Sequence, residues 1–440
     1  MEVFLARQPI FDSGLRVHGY ELLHRSCRTG AFDCTDGDSA SMQVLANTLL
    51  TFGPSSVLSG KPGFVNFTRD LLVGDLAFLT PPHSLVIEVL ESVEADDEVI
   101  SACRKLRSKR YLLALDDFVP SDSSHPLVEF ASILKVDFRA TTESERRGIV
   151  QRYGRPGLRM LAEKVETQEE FVWARREGFS YFQGYFFARP VILAKKDVPS
   201  FKVNLLRILA EVHAPEFDFE RVESLIKQEM PLCYRLLRYV NSAAFGLRSR
   251  IASVRQAMAL LGEEEMRRWL TLAALPTLAS DKPDELVETA VLRARFCELF
   301  APWAGLSHRR SDLFLMGMFS LLDVMVGRPL DELLGELCLA EDVRGALLGD
   351  LAAENLLTRI HQLILACERA DWDEVSLLAG RLASPAEVVS GLYLEAVRWS
   401  AEIFHAGGLV ARPDEDLRIP LCTVAGSDAP PYSRSNEGNM

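Results

Sequence analysis

Residues 111–138 contain two short apolar runs, YLLALDDF (111–118) and SILKVDF (132–138), and runs of this kind recur through the first half of the chain. The others are GFVNF (63–67), SLVIEVL (84–90), LRMLAEKVE (158–166) and YFQGYFF (181–187). The stretches between them, such as EADDEVISACRKLRSKR (94–110), have the apolar spacing of surface helices. Buried strands that alternate with helices predict an α/β fold with a parallel sheet, and we expect a β/α barrel.

Each apolar run ends, or nearly ends, in a polar side chain. In a β/α barrel the carboxyl ends of the strands share one face, so we expect these side chains to converge there. Several carboxylates in one cleft repel each other unless cations neutralise them, which predicts oxygen-bound Mg²⁺ or Mn²⁺. A pair of such ions is suited to phosphodiester hydrolysis, with a lysine to orient the water. The side chains are Asn66, Glu88, Asp116, Asp117, Lys135, Glu163 and Gln183.

Taken one at a time, these residues have simpler explanations. Adjacent aspartates such as Asp116 and Asp117 are typical of a solvated turn. Glu88 or Lys135 alone could be a strand residue that faces outward. Their ordered occurrence at successive strand ends is what favours a shared site.

The second half of the chain has a helical pattern. From about residue 200 onward, apolar residues recur at three- and four-residue steps, as in Val222, Leu225 and Ile226. Residues 195–201 (KKDVPSF) have the composition of a connector. We therefore predict a barrel over residues 1–192, an all-α domain over 193–406 and a partly disordered tail over 407–440.

Composition limits the classes of function. The formal net charge of −13 argues against nucleic acid as the main partner, because phosphate contacts need clustered basic residues. The eight cysteines have no paired spacing, which predicts reduced thiols. We expect no membrane span and a cytoplasmic location, since neither a signal-like start nor a long apolar segment stands out.

The barrel motifs resemble, in order, those of the EAL domain, the phosphodiesterase barrel of cyclic di-GMP signalling. GYELLHR (19–25) resembles the naming motif, and the other motifs are those quoted above. The resemblance implies a two-metal site, catalytic residues, substrate-binding residues and loop-stabilising glutamates. The metal ligands would be Glu21, Asn66, Glu88, Asp116, Asp117 and Glu163; the catalytic residues Lys135 and Glu163; the substrate-binding residues Arg25 and Gln183; and the loop-stabilising residues Glu91 and Glu166.

The chain also departs from the EAL pattern. Leu22 stands where the family motif has alanine, and Lys164 replaces a glycine next to Glu163. Phe118, Val119 and Pro120 follow Asp117 in place of a glycine-rich loop that couples metal binding to dimerisation in the family. The helices between the first motifs are expected to be trimmed.

The second half resembles the HDOD domain, a helical relative of HD phosphohydrolases, through LLRYVNSAAFG (236–246) and RIASVRQAMALLG (250–262). The equivalent of the metal-binding His-Asp pair is Leu322 and Asp323, so we expect no metal in this domain. For Asn241 and Ser242 we favour helix capping over ligand binding. The domain is expected to regulate the barrel or to bind a protein partner.

Two functions remain open at this point. One is a metal-dependent phosphodiesterase that opens cyclic di-GMP to pGpG under HDOD control. The other is a catalytically degenerate protein that binds cyclic di-GMP, or serves as a scaffold, and acts through HDOD-mediated interactions. Hydrolysis of a different phosphodiester is a third interpretation with the same metal site. A homodimer is a further expectation from the family resemblance.

Overall fold

The structure is a computed structural model, and it describes residues 2–27, 58–118, 125–188, 199–242, 245–247, 249–349 and 355–405. Within these residues the chain forms a barrel followed by a helical domain, as the sequence predicts. The predicted boundary near residue 192 and the predicted tail lie outside the described residues.

Eight strands close the barrel in sequence order. Strands β2 to β8 are parallel, as expected, whereas β1 is antiparallel to both of its neighbours, β2 and β8. The sequence analysis did not identify the β1–β2 hairpin. The strands are β1 (Glu2–Asp12), β2 (Val17–Cys27), β3 (Gly63–Phe67), β4 (Leu85–Val89), β5 (Leu112–Leu115), β6 (Ile133–Asp137), β7 (Arg159–Glu163) and β8 (Tyr181–Gln183).

Crossover helices pack around the barrel. The helix between β3 and β4 has only five residues, in agreement with the trimming expected there. Two of the helices begin with capping boxes, Thr142 with Glu145 and Thr167 with Glu170, which satisfy the free N–H groups of the first turn. The helices are α1 (Arg69–Val73), α2 (Asp97–Ser108), α3 (Glu143–Tyr153) and α4 (Gln168–Glu177).

The helical domain packs around α9, which is buried along nearly its whole length. Asn241 caps the end of α7: its side-chain amide donates to the carbonyl of Leu237, and its Oδ1 accepts from the N–H of Ile251. The capping role that we favoured for Asn241 is therefore confirmed. The helices are α5 (Ser200–Val212), α6 (Phe219–Gln228), α7 (Met230–Val240), α8 (Val254–Leu278), α9 (Asp284–Phe300), α10 (Arg310–Phe319), α11 (Leu322–Val326), α12 (Leu330–Glu336), α13 (Glu341–Leu348), α14 (Leu356–Arg369), α15 (Trp372–Arg381) and α16 (Ala386–His405).

The β1–β2 hairpin joins the two domains. β1 pairs with β8 only at Ile10–Asp12, and its preceding residues extend beyond the barrel against the helical domain. Ala6 belongs to the apolar core of the helical domain. Arg7 forms an ion pair with Glu288 of α9 (2.5 Å), and the hydroxyl of Tyr20 donates to Glu285 Oε2 (2.9 Å). All four of these polar side chains are buried, so the contact between the domains has a charged centre.

This interface should weaken as the pH rises. Burial raises the pKa of Glu285 to about 8, and the charge of Glu288 adds to that effect. At pH values between the ordinary pKa of a glutamate and about 8, Glu285 is protonated in the folded state and ionised in the unfolded state. The free energy of unfolding therefore falls as the pH rises through that interval. We expect Glu285→Gln to remove up to about 3 kcal/mol of this pH dependence between pH 5.5 and 8, at 1.36 kcal/mol per pKa unit.

The measurement for Glu285 is urea unfolding of both proteins at the two pH values. Glutamine keeps an acceptor for the Tyr20 hydroxyl, so the variant retains that hydrogen bond. Equal pH dependence in the two proteins would contradict the assignment of the proton to Glu285.

No helix among the described residues combines the length and the apolar character that crossing a membrane requires.

Candidate active site

The polar side chains predicted from the strand ends form a ring inside the barrel, directly above an apolar layer. That layer contains Phe64, Val86, Ala114, Ile133 and Leu161, one from each of five neighbouring strands. Because side chains alternate along a strand, the residue two positions later points to the same interior. Those later residues are Asn66, Glu88, Asp116, Lys135 and Glu163, and Glu21, Gln183 and Gln8 complete the ring.

Lys135 occupies the centre of the ring and is fully buried. Burial favours the neutral amine, but the surrounding carboxylates, Glu163 above all, outweigh it and hold the pKa of Lys135 well above its ordinary value. The surrounding carboxylates therefore favour the ammonium form of Lys135. Its Nζ lies close to Glu88 Oε1 (2.7 Å), Asp116 Oδ1 (2.8 Å), Glu163 Oε1 (2.9 Å) and Glu21 Oε1 (3.5 Å).

One lysine does not neutralise this many carboxylates. Burial and the charge of Glu21 raise the pKa of Glu88 well above its usual range. Burial raises the pKa of Glu163 to about 8. The charge of Lys135 acts to lower this pKa, whereas the charge of Asp116 acts to raise it. Burial and the charge of Asp116 likewise raise the pKa of Asp117. Additional positive charge would favour the ionised form of all three carboxylates.

The ring also contains oxygen atoms that are suited to bind a cation. Asn66 Oδ1, Glu88 Oε2 and Gln183 Oε1 are buried and have no hydrogen-bond partner among the described residues. A buried polar atom without a partner is costly, and a bound ion would satisfy it. Asp116, Asp117 and Glu163 place ligand oxygens within 4.8 Å of one another. The donors are all carboxylate or amide oxygens, which are the ligands of Mg²⁺ and Mn²⁺.

Gln8 is a member of the ring that the sequence analysis missed. It lies opposite Glu21 in the β1–β2 register. The amide of Gln183 donates to Glu21 Oε2 (2.5 Å) and to Gln8 Oε1 (3.1 Å), so these three side chains hold one another. The sequence does show a polar residue two positions before Ile10, in ARQPIF (6–11). Because the β1–β2 hairpin was not predicted, that residue could not be assigned to the barrel interior.

A solvent-open cleft with a volume of about 490 Å³ lies above the ring. This volume lies within the ~300–1,000 Å³ that is usual for small-molecule sites. Leu23, Arg139, Lys164, Glu166 and Tyr185 contribute to its walls. The cleft therefore has the size of a small-molecule binding site.

Lys164, which replaces the glycine of the family pattern, keeps the left-handed backbone that glycine favours, with φ 54°. Its ammonium pairs with Asp137 Oδ2 (2.5 Å) on the rim of the site. Lys164 therefore neutralises a neighbouring carboxylate and does not join the group around Lys135.

The structure brings most of the predicted site residues together, although their roles stay predictions. Glu166 lies in the cleft, whereas Glu91 is exposed and lines an adjacent cavity beside Asp117. Arg25 lies in β2, but its side chain falls outside the described part of the chain, as do Val119 and Pro120.

Comparison with family models identifies both halves of the chain. The EAL domain model matches residues 38–190, and the HDOD domain model matches residues 198–330. Glu21 and Arg25 precede the matched range, so the evidence that Glu21 belongs to the site is its contact with Lys135 and Gln183.

Two curated proteins match over almost the whole chain. One is the "Uncharacterized protein YuxH" of Bacillus subtilis, 36% identical over 414 residues, which covers 92% of this chain and 100% of that protein. The other is "Cyclic di-GMP phosphodiesterase CdgJ" of Vibrio cholerae, 36% identical over 406 residues, with 91% and 93% covered.

Among solved structures, the manganese and cyclic di-GMP complex of Klebsiella pneumoniae BlrP1 is 23% identical, with a TM-score of 0.36, and covers 42% of this chain and 55% of that one. The two domain models give the order of the domains, and the two curated relatives match across both. The chain belongs to the EAL–HDOD family, in which an EAL barrel is followed by an HDOD domain.

Proposed function

We propose that this protein is a metal-dependent phosphodiesterase that hydrolyses cyclic di-GMP to linear pGpG. The observation that carries the proposal is the ring of buried carboxylates around Lys135, with unpaired oxygens that a cation would satisfy. The 36% identity to a Vibrio cholerae protein named a cyclic di-GMP phosphodiesterase supports the choice of substrate.

The residues that would hold Mg²⁺ or Mn²⁺ are Glu21, Asn66, Glu88, Asp116, Asp117 and Glu163. Bound there, such an ion would polarise the phosphodiester and lower the pKa of a coordinated water. Their positions make the ligand set rigid, because they lie on or directly after five strands of the same barrel, with Asp116 and Asp117 both following β5.

The other ring residues have roles that follow from their contacts. The Lys135 ammonium would stabilise negative charge that develops on the phosphate. Glu163 is the proposed base. Gln183 fixes the orientation of Glu21 through its hydrogen bond, as groups around a metal site commonly do for the ligands. Arg25 is proposed to contact the substrate, and Glu91 and Glu166 are proposed to steady the surrounding loops.

The test is incubation of the full-length protein with cyclic di-GMP and Mg²⁺ or Mn²⁺, with pGpG followed by chromatography. We expect Glu21→Ala to lower turnover by at least about 100-fold, the effect of losing one electrostatic contact to the reacting group. EDTA should abolish the activity, and adding back each ion separately should show which one the site prefers.

The matched control is Glu94→Ala, which removes an exposed carboxylate of the barrel outside the ring. Its turnover should equal that of the unchanged protein. If Glu21→Ala and Glu94→Ala behave alike, the proposed site is wrong. Tight nucleotide binding without product would instead select the degenerate, ligand-binding alternative.

We further propose that the HDOD domain regulates the barrel and provides a surface for a protein partner. A homodimer is the proposed assembly, and the cytoplasm the proposed location. Cys103, Cys297 and Cys367 are buried free thiols, which is consistent with a reducing compartment.

A further inference from the structure

The cleft above the metal ring is not formed by the barrel alone. Arg369, Ala370 and Trp372, from the turn between α14 and α15 of the helical domain, line the same cleft as the ring residues. The helical domain therefore contributes a wall to the mouth of the barrel.

This turn is held in place from several directions. Ala370 takes a left-handed conformation (φ 55°) that ends α14, and the N–H of Asp371 donates to the carbonyl of Ala366 (3.0 Å). The Asp371 side chain then accepts from the N–H of Glu374 and caps α15. Two helix ends thus fix the backbone on which Arg369 and Trp372 stand.

The turn is also tied to the ring. The amide of Gln8 donates to the carbonyl of Glu368 (3.0 Å), immediately before Arg369, while its Oε1 accepts from Gln183. The Glu368 carboxylate makes a two-point contact with Arg293 (2.8 and 2.6 Å), and both side chains are buried. A continuous set of hydrogen bonds therefore runs from Glu21 to the base of the turn.

The two side chains have chemistry that suits a guanine nucleotide. Trp372 is half-buried and offers an indole, and aromatic side chains stack on the planar faces of bases. Arg369 is exposed, and its pair with Glu374 (2.9 Å) is a surface contact of small free energy that a phosphate could replace. A guanidinium can bind a phosphate or the edge of guanine at two points.

We propose that the HDOD domain supplies part of the nucleotide site: Trp372 stacks on a base of cyclic di-GMP, and Arg369 contacts its phosphate or guanine edge. This inference rests on the proposed function for the choice of ligand. It makes substrate affinity depend on the position of the helical domain, and binding would in turn stabilise the docked arrangement.

The experiment is a calorimetric titration of the full-length protein with cyclic di-GMP in the presence of Ca²⁺, with chromatography of the same samples to detect product. We expect Trp372→Ala to raise the Kd by about 10-fold or more, and Arg369→Ala to raise it by a similar factor. Trp372→Phe keeps an aromatic face and should remain within about 3-fold of the unchanged protein.

Matched controls are Trp303→Ala, an exposed tryptophan of the same domain outside the cleft, and Arg381→Ala at the far end of α15. Both should bind as the unchanged protein does. Trp372 packs partly against the helical core, so Arg369→Ala provides the second variant with little structural cost.

The outcomes separate this inference from the proposed function. If Trp372→Ala and Arg369→Ala bind as tightly as their controls, the composite site is wrong even where pGpG is formed. If they weaken binding but the unchanged protein forms no pGpG with Mg²⁺ or Mn²⁺, the phosphodiesterase activity is wrong and the composite site stands. If the unchanged protein does not bind cyclic di-GMP, both are overturned.

Discussion

Replacing Lys135 by methionine is expected to lower the free energy of unfolding by about 3–5 kcal/mol in metal-free buffer, the usual cost of removing one partner from a buried ion pair. Methionine approximates the length of the lysine stem, so packing changes little. What it removes is the cation that lies within 3.5 Å of all four neighbouring carboxylates. Urea unfolding in EDTA measures the loss.

Adding Mn²⁺ should restore more stability to the Lys135→Met protein than to the unchanged protein, because the ion then provides charge that the lysine no longer supplies. Turnover should remain low, since the ammonium proposed to stabilise the phosphate is gone. The control is Lys164→Met, whose side chain is 58% exposed and pairs only at the rim. Its loss should be much smaller, because Asp137 keeps the hydrogen bonds from the N–H groups of Arg139 and Ala140. Equal losses would contradict the central role of Lys135.

The candidate site could largely be predicted because strand alternation encodes it. In each parallel strand from β3 to β7, the polar residue follows two positions after an apolar residue that fills the barrel, as Glu88 follows Val86 and Lys135 follows Ile133. Alternate residues of a strand lie on opposite faces, so the pattern within each strand shows which side chains face the barrel interior. This local pattern was sufficient to predict that residues far apart in the sequence share one site.

The β1–β2 hairpin could not be found in this way. β1 is covered by the barrel on one side and by the helical domain on the other, so its sequence EVFLARQPIFD lacks a clean alternation of apolar and polar residues. The polar contacts of β1 also cannot be predicted from the local sequence, because Arg7 and Glu288 are separated by 281 positions. Gln8 and the wall formed by Arg369 and Trp372 were missed for the same reason: each depends on how the two domains pack.

Replacing Arg7 by methionine should loosen the contact between the domains and cost about 3–5 kcal/mol of stability. Arg7 is buried, pairs with Glu288 and lies 4.4 Å from the ring centre of Tyr20. Without the guanidinium, the carboxylate of Glu288 loses its ion-pair partner in a buried interface beside Glu285. Hydrogen exchange should speed up in β1 and α9, and urea unfolding should shift to lower denaturant concentration.

The matched control is Arg16→Met at the tip of the same hairpin, where the side chain is 84% exposed and pairs directly with Asp12 (3.0 Å). That change should cost about 0–1 kcal/mol. A further variant, Arg7→Met with Glu288→Leu, removes the leftover charge and should recover part of the loss, since replacing a whole buried pair by apolar residues is far milder than breaking it. If Arg7→Met is as stable as Arg16→Met, the buried pair does not hold the domains together. In that case the position of Gln8 beside Gln183 would have to depend on the apolar contacts of Ala6 and its neighbours.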